Sequence, residues 1–420
     1  MASRFGRFIL GIVAAIVLFS GGAYAFVLTS PTPFDETNLM AGARVYQQNC
    51  TVCHGAPGTT PTAIAKGMFP DTERWQLTML MRKADQLPAT VQAAFAAMAA
   101  QSQQSAPLRL VQTLTMDKTV TGRFDHMAVD VQGGRLFVTA ADHHTIEIFD
   151  LKSGKWMRRV TGLGKPAGIV YLPESNRVLF SDGAGSANIL DGASYKVVAS
   201  VKLADDADSL GFDRDANILY VVNGGKDVNE TFSRLSIVDA KNQKSLGDIK
   251  IDGERVEAMA LETKGPRLFV NVTALNRVAV LDRRTRQLLT TWGLGDAKEN
   301  VSMAFDEADH RLFVATRQPG RLIVLDSDTG KQVASLPAAG GVDDLAYDAA
   351  RKRIYASAGD GFVNVYQQET PNRYVAMAQV PTGPGARNSR FVPEQNRLYV
   401  AVPAGKDGKP AEIQIYEVTR

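Results

Sequence analysis

Cysteine is nearly absent from this 420-residue chain: there are two, Cys50 and Cys53, and both sit in one five-residue run. A disulfide framework is therefore excluded. Histidine is also scarce, with His54, His126, His143, His144 and His310. Four of them lie beyond residue 120, too few for a copper cluster built on imidazoles. Charge of one sign is missing too, since 47 basic residues face 44 acidic ones and no Lys/Arg run reaches five. That balance argues against a nucleic-acid partner. No P-loop, no Gly-x-Gly-x-x-Gly after a strand and no Ser-His-Asp set is apparent. At 45% hydrophobic and 22% charged, the composition excludes a disordered or collagen-like chain.

Long apolar runs are rare, and one lies at the N-terminus. Phe8 to Leu28 carries no charge and follows Arg4 and Arg7. As a helix it would span about 31 Å, enough to cross a bilayer with the N-terminus held in the cytoplasm. Ala23-Tyr24-Ala25 fits a signal-peptidase site, whereas Phe26-Val27-Leu28 extends the run past it and favours a retained anchor. Residues 1–30 are thus read as an anchor or signal segment. The remainder lies on the periplasmic side of a bacterial inner membrane, anchored there or soluble if cleaved after Ala25.

Cys50-Thr51-Val52-Cys53-His54 carries the sharpest chemistry. In a Cys-x-x-Cys-His run both thiols add to haem vinyl groups and the histidine turns onto the iron. A redox pair or a zinc half-site is the other use of such spacing. The chain has no second cysteine pair and no surrounding βαβ pattern to support either. Ahead of the run, Leu39, Ala43 and Tyr46 recur at helical spacing after Asp35 and Glu36. With Gly67-Met68-Phe69-Pro70 downstream, residues 35–100 resemble the class I cytochrome c family in shortened form. The resemblance implies a small all-α module with haem c on Cys50 and Cys53 and His54 as proximal iron ligand. The stretch that usually bears the second axial methionine is missing, so Met68 or an open iron position remains. Residues 101–107, polar and of low complexity, read as a linker.

Beyond the linker the chain repeats. Arg135-Leu-Phe-Val, Arg177-Val-Leu-Phe, Asn217-Ile-Leu-Tyr, Arg267-Leu-Phe-Val, Arg311-Leu-Phe-Val, Arg353-Ile-Tyr-Ala and Arg397-Leu-Tyr-Val each open an apolar strand. A second register closes the next strand at Asp150, Asp191, Asp239, Asp282, Asp326, Tyr366 and Tyr416. Seven copies at roughly 40–50 residues predict a mainly β fold, a seven-bladed propeller over 108–420. Outermost strands are predicted at 156–160, 196–201, 245–249, 287–291, 332–336 and 374–380. The missing seventh is supplied by Leu108 to Thr115, which closes the ring from the N-terminal side and removes a free edge. These repeats resemble the YVTN-type β-propeller repeat family, which implies the fold and leaves the activity open.

The loops opening each blade and the hairpins between second and third strands share one face. They bring Asp125, Asp208, Glu257 and Asp343 to one mouth, with His126, Asn300, Arg317, Asp344 and Arg387 around them. Four carboxylates in a ring need compensation by water, by Arg387 and Arg390, or by a bound cation such as Ca²⁺. The alternative is that Asp and Asn merely suit the turns. Three functions follow as expectations: an exported haem protein of electron transfer whose propeller docks a redox partner or small ligand; a haem-linked oxidoreductase; or a non-redox binding propeller with a vestigial cytochrome module.

Overall fold

The structure, a computed structural model, describes residues 35–49, 76–77, 80, 87–94 and 106–419. Two compact units divide the chain between Ala106 and Pro107. The apolar run 8–28, the Cys50–His54 run and Met68 lie outside the described residues. Among the described residues no helix is long and apolar enough to cross a membrane.

In the first unit the predicted helix is present as α1 (Glu36–Asn49). Asp35 caps it, its carboxylate accepting the Asn38 N–H at 2.8 Å. Leu39, Ala43 and Tyr46, one helical face, are buried with Leu77, Leu80, Leu87 and Val91. Gly42 lies on the same side. A β-carbon there would stand 2.4 Å from the Gln76 carbonyl oxygen, so the helix needs glycine to approach that segment.

The second unit is seven four-stranded antiparallel sheets. Blades 1 to 6 span 127–160, 166–202, 210–252, 259–293, 298–337 and 342–381. Blade 7 runs outward through Asn388–Val392, Arg397–Val402 and Glu412–Val418 and is completed by Leu108–Thr115. Arg109 pairs with Glu417 and Leu114 with Ile413, so the predicted closure holds. All six other outermost strands fall where expected, one to three residues longer at some ends and one residue shorter at Val197.

Middle strands lie between neighbouring blades and are apolar on both faces, as Leu136, Phe137 and Val138 show. Outermost strands face water on one side. In Gln287–Gly293 every residue but Trp292 is exposed. The core is therefore a ring of interfaces between blades. One packs Phe137, Ile146 and Ile148 of blade 1 against Ile169, Val178 and Phe180 of blade 2.

Two repeated residues hold this arrangement. The aspartates ending third strands accept the N–H three residues on: Ser153 at 2.6 Å, Ser194, Asn242 and Thr285 at 2.8 Å, and Thr329 at 3.0 Å. These bonds hold Asp150, Asp191, Asp239, Asp282 and Asp326 as turn formers. The arginines opening second strands reach into the next blade. Arg135 binds Asp130 at 2.7 Å in its own sheet and Asn176 at 2.7 Å in blade 2. Arg267 spans Glu262 at 2.8 Å and the Ser327 carbonyl at 2.6 Å. Arg311 likewise takes Asp326 at 2.9 Å and Asn372 at 2.7 Å.

Candidate functional site

The innermost strands surround an axial cavity of about 1000 Å³. Its walls require small residues where the strands crowd together. A β-carbon on Gly168 would stand 2.9 Å from the Asp208 carbonyl oxygen, and one on Gly211 2.5 Å from Leu261.

The loops opening blades 1, 3 and 4 deliver an acidic side chain at one register. Asp125, Asp208 and Glu257 donate backbone N–H groups to the second-strand carbonyls of Thr139, Val222 and Asn271, at 2.9, 3.0 and 3.0 Å. That shared pairing places the three carboxylates at the same height in blades 1, 3 and 4. Asp343 and Asp344 enter from blade 6, Arg317 from blade 5 and Arg387 from blade 7, and all line the cavity with His126. Asn300 does not. It is fully buried, donating to Asn271 at 2.9 Å and the Arg277 carbonyl at 2.9 Å, and so ties blade 5 to blade 4.

Arginines pair with two of the four carboxylates. Glu257 pairs with Arg255 at 2.7 Å, and Asp343 with both Arg317 and Arg387, the latter at 3.1 Å. Among the described residues no group of three or more His, Cys, Asp or Glu side chains is gathered to hold a metal ion. The expected cation ring of Asp125, Asp208, Glu257 and Asp343 is therefore not assembled. The four carboxylates stay on separate blades, and three of them turn to basic neighbours: Asp125 to His126, Glu257 to Arg255 and Asp343 to Arg317 and Arg387. Eight acidic residues, eight lysines and arginines, and His126 line the cavity in all.

A second charge arrangement crosses from blade 1 to blade 6. Asp125 contacts His126 Nδ1, and His126 Nε2 faces Asp344 at 3.6 Å. Asp344 also accepts the Ser389 N–H at 2.7 Å. Burial opposes charging His126, but Asp125 and Asp344 outweigh it and raise its pKa to about 10. Burial pushes Asp344 up to about 7, with His126 pulling against it. Glu257 is also raised by burial, against the pull of Arg255. The imidazole is thus held protonated between two carboxylates, one of which changes charge near neutral pH.

Comparison with known proteins finds similarity over part of the chain. No protein-family model matches the chain. It is similar to the uncharacterised protein YncE of Salmonella typhi, with 27% identity over 195 residues, 45% of this chain and 52% of the relative. With YncE of Escherichia coli O157:H7 it shares 27% over 139 residues, 32% and 35% of the two chains. The chain spans about half the length of the first of these relatives. Among solved structures, a chain of the mitotic checkpoint complex superposes with a TM-score of 0.60 at 13% identity, over 74% of this chain and 92% of that one. Hydrazine synthase of Kuenenia stuttgartiensis gives 0.58 at 15% identity, over 71% and 97%. At such identities the likeness is one of fold. The second unit is a seven-bladed β-propeller.

Several lining residues escaped the sequence reading, among them Arg123, Lys165, Asp206 and Arg255. A signal for them exists. Arg123, Asp206 and Arg255 each stand two places before an acidic residue of the ring, so alternate positions of one extended loop face the axis. His310, which is not part of the cavity lining, pairs with Asp328 at 3.0 Å.

Proposed function

We propose that the chain is an exported c-type haem protein of electron transfer, with its propeller serving as a platform for a redox partner or a small ligand. The observation that carries this is the Cys50-Thr51-Val52-Cys53-His54 run directly after α1. Support comes from the helix itself, whose buried face matches the expected Leu39, Ala43 and Tyr46. Cys50 and Cys53 would hold haem c by thioether bonds, His54 would take one axial position, and Met68 is the candidate for the other. Haem bound there supplies reversible one-electron exchange. The apolar segment 8–28 accounts for delivery to the periplasmic side, where such attachment occurs.

A pyridine haemochrome assay on protein matured in a host with cytochrome c assembly tests this reading. A c-type spectrum is expected for wild type and none for Cys50→Ala/Cys53→Ala. Full-length wild type without the spectrum would overturn the electron-transfer reading and leave a non-redox binding propeller. The oxidoreductase reading draws on His126 and Asp344, titratable groups that face each other at 3.6 Å in the cavity. A substrate screen following haem reduction separates it from simple electron carriage.

A further inference from the structure

The propeller repeat breaks at one place, between blades 3 and 4. In the other six blades an arginine opens the second strand. In blades 1, 2, 4 and 5 it stands opposite the aspartate that closes the third. Blade 3 has Ile218 at that register, opposite Asp239. No guanidinium extends from it toward blade 4, as Arg267 of blade 4 extends to the Ser327 carbonyl of blade 5. Arg283 of blade 4 bridges in the reverse direction. It pairs with Asp213 of blade 3 and donates to the Glu262 and Gly265 carbonyls at 2.6 Å. The two blades stay joined, and the space beside Ile218 is left open.

That space is a cleft of about 810 Å³. Turns joining first to second and third to fourth strands line it, so it opens on the face away from the axial mouth. It shares only Phe212 and Arg214 with the axial cavity. Its two walls differ in kind. Blade 3 contributes Ile218, Tyr220, Ile237 and Leu246, whereas blade 4 contributes Lys264, Arg283, Arg284 and Arg286. The Arg283-Arg284-Thr285-Arg286 turn is itself exceptional, because the matching turns of blades 1, 2, 3 and 5 hold no arginine. Most of the charge nearby is already matched. Asp213 is held by Arg283, Glu262 by Arg267 at 2.6 Å, and Arg214 turns to Glu174 of blade 2 at 3.9 Å. Lys264, Arg284 and Arg286 are left against Asp215, three cations to one carboxylate. Arg286 also donates to the Leu246 carbonyl at 2.7 Å. Lys264 and Arg284 are exposed, and their side chains make no hydrogen bond or ion pair among the described residues.

We propose that this cleft binds a small amphiphilic carboxylate, its apolar body against Ile218, Tyr220 and Leu246 and its head at Lys264 and Arg284. A neutral apolar ligand would leave the cationic wall unanswered, and a bare anion would leave the apolar one in water. A molecule with both parts meets both walls, in a space of the size that small ligands occupy. The planar fork of an arginine suits a carboxylate, and the apolar wall opposite strengthens the attraction by excluding water. This site is independent of haem and of whatever the axial cavity binds.

The test is calorimetric titration of the full chain with octanoate and 3-phenylpropionate. Acetate, which lacks the body, and 1-octylamine, which reverses the charge, are the controls. At least one of the two carboxylates should bind with Kd below about 1 mM, and both controls at least about tenfold more weakly. The double variant Lys264→Gln/Arg284→Gln, on exposed turns, should weaken binding about tenfold or more. Ile218→Arg restores the residue of the other repeats and should fill the cleft and remove binding, with its melting temperature reporting whether it folds. Should it not fold, the exposed double variant decides. Unchanged affinity in that double variant overturns the inference, and so does octylamine or acetate binding as tightly as octanoate. Silence from both carboxylates overturns it as well. Binding of the peptide acetyl-Leu-Glu-Leu-Glu-amide in their place would overturn it in favour of an acidic protein partner.

Discussion

The arginine that opens a second strand serves two sheets at once, and Arg135 is the clearest instance. Its side chain is 13% exposed and Asp130 beneath it 4%. Replacing Arg135 with Met leaves Asp130 buried without its partner and loses the bond to Asn176 in blade 2. Breaking such a pair costs about 3–5 kcal/mol, so urea denaturation of Arg135→Met should show a matching fall in unfolding free energy. A fall no larger than that of an exposed variant such as Arg109→Met would show that the clip contributes little. Charge in the cavity gives a second residue-scale expectation. Asp344 and His126 both have folded pKa values above their ordinary ones, so both take up protons on folding. The stability from the Asp344 proton is full below the ordinary carboxylate range and is lost as pH rises through about 7. That from His126 is full below the ordinary imidazole value and is lost as pH rises toward about 10. The urea midpoint should therefore fall from pH 5 to pH 9, wherever these groups dominate. Asp344→Asn should flatten the lower half and, by removing an anion beside His126, move the imidazole loss to lower pH.

At the scale of elements, Leu108–Thr115 carries the most consequence for its length. It and the residue after it place Leu108, Leu114 and Met116 in the core, each at most 3% exposed. Buried side chains of this size contribute about 2–5 kcal/mol each, against a domain stability of about 5–15 kcal/mol. Deleting 108–116 should therefore abolish or strongly lower the propeller melting transition, while deleting 101–106 should leave it nearly unchanged. Equal melting of the two would refute the role of this strand in closure. For α1 the sensitive position is Gly42, where Gly42→Ala should reduce α1 helicity, read by circular dichroism of the isolated first unit if it folds and of the full chain otherwise. The strands were legible because each blade repeats its apolar pattern and its Asp turn. The site was legible in part. Asp125, Asp208 and Glu257 occupy a repeated register, so their sequence spacing predicts a shared mouth. Their counter-charges do not repeat: Asp343 of blade 6 takes Arg317 from blade 5 and Arg387 from blade 7. Asn300 shows the opposite error. It occupies the right register, yet its amide turns away from the axis to bind Asn271, a choice set by side-chain packing that spacing does not encode.

Across the whole molecule the two compact units imply separable losses. Cys50→Ala/Cys53→Ala should remove the haem spectrum with the propeller melting transition in place, measured by calorimetry on the same sample. A transition lost in parallel would show that the propeller depends on the first unit. The ring closure has a further consequence, one of timing. Arg109 and Glu417 are 308 positions apart, and everything between them must exist before they meet. A ribosome or an export channel releases Leu108–Thr115 well before Glu412–Val418, so the clasp snaps shut only once all seven blades are out. The part of the entropy barrier that grows with chain length is about 5 kcal/mol for a loop this long. Until that moment blade 7 has no outer strand and blade 1 no closed neighbour, and a truncated product presents a bare edge to whatever it meets. A product that stops before Glu412–Val418 therefore carries an open ring, however well its first six blades have folded.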